Sequence, residues 1–393
     1  MLNWKFKTCW TTEPQPQNWS RAMARGQPIF LKECPDMDRW SETQAQEWSA
    51  TKPWICGFNF LPSSAVNFIE MWHRDSFDAA TIERELGWAA GLGFNAFRIN
   101  LHYLVWKHDR DGLLARLDQI MALADRIGIS TIPVLFDDCG FGGVEPEYGP
   151  QPDPRPGVHN SRAVASPGRA LLAAGQEWAG FEDYTRDLVS TFAVDRRVLF
   201  WDLYNEPGNR MIFGRDGAGM YEPDFSDQSL RLLRDCFAWA RAERPTQPLT
   251  VGAWSTPVAG DTQAAYETAI DKTALELSDI VSFHAYLSTE KVAALIAALS
   301  SAARPMFCTE WMARPVGSQI TGQLQLFKEH GVGCFQWGLV KGRTQTWLPW
   351  PEDLVSAHGG AADLSVWFHD ILDETGMPYD NEETAVLRAC TSG

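Results

Sequence analysis

The chain has 393 residues, 45% of them hydrophobic, with 34 Lys and Arg against 50 Asp and Glu, for a net charge of -16 and a pI near 4.9. An acidic protein repels nucleic acid and anionic membranes, which argues against both as partners, and no stretch is apolar for long enough to span a bilayer. Length and apolar content suit a single domain with insertions around one large core.

Residues 1–53 are irregular, with scattered Pro and Trp, and read as an N-terminal extension packing on the domain that follows. The first ten residues show no apolar run followed by a small-residue cleavage site. The expectation is therefore a cytoplasmic protein, or a secreted or periplasmic one whose signal has been removed. From residue 54, short β-rich apolar runs alternate with helical patterns, the signature of parallel βα units. The predicted strands are 54–60, 96–102, 130–137, 198–205, 248–255, 279–286, 305–311 and 332–340, and their near-continuous apolar character implies cover on both faces. Predicted helices span 78–91, 113–127, 176–193, 227–241, 270–277, 289–302, 319–330 and 365–376, several closed by the Gly that helix C-termini favour.

Eight such units predict an α/β fold, a (β/α)8 TIM barrel over 54–376 with long βα loops, leaving 377–393 as a C-terminal tail. The longest loop, 138–175, is rich in Gly and Pro, and a loop of that length in a compact domain is usually functional. A second, 341–363, carries Trp347 and Trp350. Eighteen Trp provide flat amphipathic rings suited to sugar faces, although most are expected in the core. The eight Cys have no C-x-x-C spacing and are expected to be free thiols.

Two apolar runs end in a carboxylate. Glu206 closes the fourth strand, in Trp-Asp-Leu-Tyr-Asn-Glu-Pro207, and Glu310 closes the seventh, in Phe-Cys-Thr-Glu-Trp311. Burying an ionised acid is costly unless it is paired, hydrogen-bonded or used. In a barrel the carboxyl ends of all strands meet at one mouth, so the two acids are expected to converge. Paired carboxylates without a metal suit glycoside hydrolysis, in which one protonates the leaving oxygen and the other acts as nucleophile or base. The plain alternative for each is an ion pair at the barrel rim.

The surroundings of these acids resemble the glycoside hydrolases of clan A, particularly the family 5 cellulase and mannanase group. The resemblance covers the whole barrel. It implies that Glu206, in Asn205-Glu-Pro207, is the acid/base and Glu310 the nucleophile of a retaining glycosidase. It further implies that Arg98, in Phe97-Arg-Ile-Asn100, holds the nucleophile, that His284 and Tyr286 form a His-x-Tyr pair, and that Trp337 is a sugar platform. Asn205 would meet the sugar 2-hydroxyl, and Glu206 would need to be protonated to act as acid. Where the group usually shows a histidine near strand 3, this chain has Phe136-Asp-Asp-Cys139. Asp137 or Asp138 then contacts a sugar hydroxyl or caps the following loop, and His102 supplies an imidazole from strand 2.

The eight His form no H-E-x-x-H pair, no G-x-S-x-G elbow is present, and no glycine run has phosphate-loop spacing, so neither metal nor cofactor is expected. The expected activity is cleavage of β-linked glycosides, exo-acting on oligosaccharides because of the long loops. An endo-β-glycanase is the alternative, and a non-catalytic carbohydrate-binding barrel the alternative of another class.

Overall fold

A computed structural model describes residues 39–258 and 264–392. Residues 1–38, with Cys9 and Cys34 and most of the expected N-terminal extension, lie outside the described residues. The described end of that extension forms helix α1 (Glu42–Ala50), N-capped by the Ser41 hydroxyl. It crosses the amino-terminal end of the barrel. The Trp40 amide donates to Asp279, Gln46 donates to the Ala303 carbonyl, and Trp48 packs on Phe307.

The chain then runs through β1 (Cys56–Asn59), α2 (Phe68–Trp72), α3 (Ala79–Gly91), β2 (Ala96–Asn100), α4 (Tyr103–Arg126) and β3 (Ser130–Asp137). Next come α5 (Arg169–Ala173), α6 (Trp178–Thr191), β4 (Trp201–Asn205), the hairpin of β5 (Met211–Phe213) and β6 (Ala218–Met220), α7 (Ser226–Ala242), β7 (Leu249–Thr250) and α8 (Ala269–Leu277). The last units are β8 (Val281–His284), α9 (Thr289–Leu299), β9 (Met306–Trp311), α10 (Ile320–Glu329), β10 (Gly333–Trp337), α11 (Glu352–Ala357) and α12 (Asn381–Thr391).

Eight strands form one parallel sheet in the order β7-β4-β3-β2-β1-β10-β9-β8. Beyond the ends of β7, the Ala253 amide donates to the Ser282 carbonyl and the His284 amide to the Ala253 carbonyl, so backbone bonds join the two outer strands and close the barrel. All eight predicted strands are present in the predicted order. The fifth is the shortest, because only Leu249 and Thr250 pair continuously with β4.

Inside the amino-terminal end of the barrel, Ile55, Ala96, Ile132, Phe200, Phe307 and Phe335 fill the space. Gly57 is required by this packing: a Cβ there would sit 2.5 Å from the Phe335 ring and 2.6 Å from the Ala96 carbonyl. The other faces of the strands carry the larger core shared with the helices.

Helix α4 begins ten residues before the expected start. It is kinked at Asp109, whose backbone leaves the helical region (φ -148°, ψ 55°), so the turns before and after that residue form two helical segments in sequence. The expected last helix, 365–376, is not helical. Its apolar residues Phe368, Ile371 and Leu372 are buried, but by an extended chain: the Ile371 and Leu372 amides donate to the Leu339 carbonyl. The long helix that follows β10 is α12, inside the stretch read as a tail, where Asp380 caps the amide of Glu382 and Leu387 is fully buried.

Candidate active site

The register of the barrel decides which side chains meet. Asn59 lies opposite both Arg98 and Trp337, Asp137 opposite Asn205, and His284 opposite Glu310. Between β8 and β9 the register shifts, so that Thr309 is passed over and Glu310 faces His284. Such bulges are common beside active sites because they re-aim a side chain. These residues stand at the carboxyl ends of the strands, where the side chains line a cavity of about 260 Å³.

Arg98 is the hub beneath the cavity. Its guanidinium is fully buried and donates to Asp202 (2.8 Å), Asn59 (2.8 Å), Glu310 (2.8 Å) and Asn205 (2.6 Å). Burial alone would lower its pKa, but Asp202 and Glu310 outweigh it and hold the guanidinium firmly charged. Glu310 thus receives Arg98 on Oε1 and the Tyr286 hydroxyl on Oε2, each at 2.8 Å.

Glu206 is reached differently. It sits just past β4 with φ 43°, a left-handed conformation that costs a non-glycine residue about 1–3 kcal/mol and is kept where surroundings over-determine it. The surroundings are plain. Its carbonyl accepts the Asn209 amide, the Pro207 carbonyl accepts the Trp254 indole, and the Gly208 amide donates to Asp138. Its carboxylate accepts from His284 Nδ1 (2.9 Å) on Oε1, and from Asn209 Nδ2 (2.7 Å) and the Cys139 thiol (3.1 Å) on Oε2.

His284 Nδ1 also lies 3.6 Å from Glu310 Oε2, and one oxygen of each glutamate and a ring nitrogen of His284 all lie within 4.8 Å of one another. Burial pushes the Glu206 carboxyl up, but His284, Cys139 and Asn209 outweigh it and hold it below the usual range. Burial pushes His284 down, and Glu310 with Glu206 more than reverses that. The two shifts run in opposite directions because two carboxylates face one ring nitrogen.

Asp137 borders the cavity and accepts from Asn100 (2.8 Å), Asn205 (2.9 Å) and the Cys139 amide (2.8 Å); burial raises its pKa to about 6. Asp138, taken with it as a sugar contact, does not line the cavity. It accepts from Tyr204, Ser229 and the Gly208 amide, and so anchors the turn that carries Glu206; burial raises it to about 7. His102 also lies away from the cavity. Its Nδ1 caps the amide of Leu104 at the start of α4, and burial lowers its pKa to about 3. Strand β2 ends at Asn100, so the chain has already turned when it reaches His102.

Several residues in or beside the cavity had no motif behind them. Asn100 follows Arg98 on the same face of β2 and was legible from the two-residue period. Asp202 is a buried acid inside an apolar strand, the same signal that picked out Glu206. Cys139, His159, Asn209 and Trp254 lie in loops, where no period applies.

The residues 56–342 match the profile of the Cellulase (glycosyl hydrolase family 5) family, well over half of the chain. The chain belongs to glycosyl hydrolase family 5. It is a glycosidase, as expected, and the alternative of a non-catalytic carbohydrate-binding barrel is set aside. Among curated protein sequences none matches this family 5 chain.

Solved structures share its fold at low identity. The GH5_18 enzyme of Streptomyces cattleya, in complex with GlcNAc, is 15% identical with a TM-score of 0.54, over 86% of this chain and 80% of that one. The endo-β-1,4-mannanase of Thermotoga petrophila is 13% identical, with a TM-score of 0.53 over 88% and 77%. An exo-β-1,4-mannosidase from Opitutaceae bacterium strain TAV5 is 16% identical, with a TM-score of 0.53 over 86% and 60%. In this family 5 enzyme no helix among the described residues is long and apolar enough to cross a membrane.

Trp337 closes β10 and lines the cavity, only partly buried. Trp337→Ala is expected to raise KM or weaken inhibitor binding while leaving the melting temperature nearly unchanged. A stability loss of about 3–5 kcal/mol in a denaturant titration would instead identify the ring as a core plug.

Proposed function

We propose that this glycosidase cleaves β-linked glycosides with retention, Glu310 serving as nucleophile and Glu206 as acid and then base. The observation that carries the reading is the close approach of two carboxylates with unlike partners. Retaining pairs stand about 5–5.5 Å apart and inverting pairs about 6.5–9.5 Å, and an oxygen–oxygen approach within 4.8 Å supports the former.

In the first step Glu310 bonds to the anomeric carbon as the bond to the leaving oxygen breaks. That oxygen takes the proton carried on the hydrogen-bonded Glu206–His284 pair, delivered by Glu206, which is left as a carboxylate. In the second step Glu206 removes a proton from water as its oxygen displaces Glu310 from the same carbon. Asn205, whose Oδ1 accepts from Arg98 and whose Nδ2 donates to Asp137, borders the cavity and is the residue assigned to the 2-hydroxyl.

The substrate is a neutral sugar. Among the described residues lining the cavity the acids are Asp137, Glu206 and Glu310 and there is no Lys or Arg, a lining that disfavours a phosphorylated or uronic sugar.

Exo-action is supported by the walls. The loop after β3 contributes Phe141 and His159, the hairpin Met211 and Phe213, and the loop after β10 Trp350 and Leu354. These loops are tied together. Asn160 donates its amide to the Thr344 carbonyl, His159 Nδ1 lies 2.7 Å from the Leu348 carbonyl, Gln345 donates to the Arg155 and Val158 carbonyls, and Phe213 stacks on Phe141 at 4.2 Å. A tied wall makes a pocket for a chain end, and a volume near 260 Å³ falls just below the roughly 300–1,000 Å³ of most ligand sites.

Related folds occur in both exo- and endo-acting β-1,4-mannoside enzymes, so β-mannosides head the test panel. Digestion of an oligosaccharide ladder should release one small product from one end, with little early fall in polymer viscosity. Replacing residues 147–156 by a short linker should add internal cleavage. A rapid viscosity drop with the intact enzyme would establish the endo alternative.

A further inference from the structure

We infer that Cys139 is a positioning residue for Glu206, its neutral thiol standing at the end of β3 and setting the acidity and aim of the acid/base carboxylate. The inference rests on the assignment of Glu206 as acid/base.

The thiol borders the cavity and donates to Glu206 Oε2 at 3.1 Å, while its own backbone amide is fixed on Asp137. Two amides box the sulfur in: Asn205 Nδ2 at 3.4 Å and Asn209 Nδ2 at 3.6 Å, each donating to it. Asn209 cannot turn away, because its Oδ1 accepts the Met211 amide at 2.8 Å. With both amides donating, the sulfur is left to serve as acceptor for them and its hydrogen is directed at Glu206.

The thiol stays neutral in this setting, since burial and the neighbouring Glu206, Asp137 and Glu310 all oppose a thiolate. The ionisable groups that face Glu206 are His284 from β8, Tyr286 just beyond it, Glu310 from β9, and Asp137 and Cys139 from the end of β3; Arg98 stands behind Glu310 and Asn205. His284 already lies against Oε1 through Nδ1 at 2.9 Å. A second imidazole on Oε2 would strengthen the anion further and make proton donation harder, whereas a thiol is a weaker donor that holds the oxygen in place and lowers the carboxyl pKa by less.

The test is the pH profile of kcat/KM for C139A and C139S on one uncharged glycoside. Deprotonation of the acid/base unit governs the alkaline limb, and loss of a donor to the anion should move that limb of C139A upward by about half a pH unit. The fall should be in kcat more than in KM. C139S keeps a hydroxyl donor and should return the limb toward the parent value, which covers the case in which C139A folds poorly. An alkaline limb unmoved in both folded variants overturns the inference. Azide rescue of Glu206→Ala tests the assignment separately: rescue with an unmoved limb rejects the role of Cys139 alone, and absence of rescue rejects the acid/base reading itself.

Discussion

Glu310→Ala should lose turnover by roughly 10⁴-fold or more on every substrate, the scale on which removing a nucleophile acts in other hydrolases. No neighbour can replace it. Tyr286 and Arg98 are donors aimed at its two oxygens, and Glu206 is held by three donors of its own. Glu206→Ala should behave differently. General acid help is worth about 10²–10⁴-fold, and an aryl glycoside with a good leaving group needs little of it. This variant should therefore form the glycosyl-enzyme on a dinitrophenyl glycoside and accumulate it. Azide, small enough for the space left by the side chain, should restore turnover and yield a glycosyl azide of retained configuration. Equal losses in both variants on the activated substrate, or an azide product of inverted configuration, would reject the assigned roles.

Arg98→Met should damage both stability and rate. Asp202 is fully buried and ion-paired to Arg98, so removing the cation leaves an uncompensated acid in the barrel, a change that typically costs about 3–5 kcal/mol. Glu310 and Asn205 lose a donor at the same stroke. Arg98→Lys should recover part of the stability, since charge is restored, but little of kcat, because an ammonium cannot hold four acceptors in the planar fork of a guanidinium. Denaturant titration and kcat at saturating substrate would measure the two separately. Arg98→Lys with kcat near that of the parent would show that charge alone suffices and that the fork does not orient Glu310.

The barrel was legible because its signal is local. Each strand announces itself as a short apolar run, and each run that ends in an acid, an amide or an arginine marks the mouth, since parallel strands bring their carboxyl ends together whatever their separation in sequence. Glu206 and Glu310 were found in this way, Arg98, Asn205, His284, Tyr286 and Trp337 through the resemblance of their motifs to a known family, and the structure gathers them within one constellation. The misplaced last helix has the same origin. Residues 365–376 carry apolar side chains at spacings that fit a helix, but their backbone finds partners on Leu339 instead, a choice made by distant chain.

What the amino-acid order by itself determined is the set of eight βα units and the residues at the strand ends, because periods of 2 and 3.6 are imposed by backbone geometry one segment at a time. Only the tertiary structure decided which side chains beyond those ends face the sugar. His102 and Asp138 turn away to satisfy backbone donors, while Cys139 and Asn209 turn in toward Glu206. In loops no period links position to direction. There, orientation follows from which buried donor or acceptor would otherwise go without a partner, and that is settled by contacts between segments far apart in sequence.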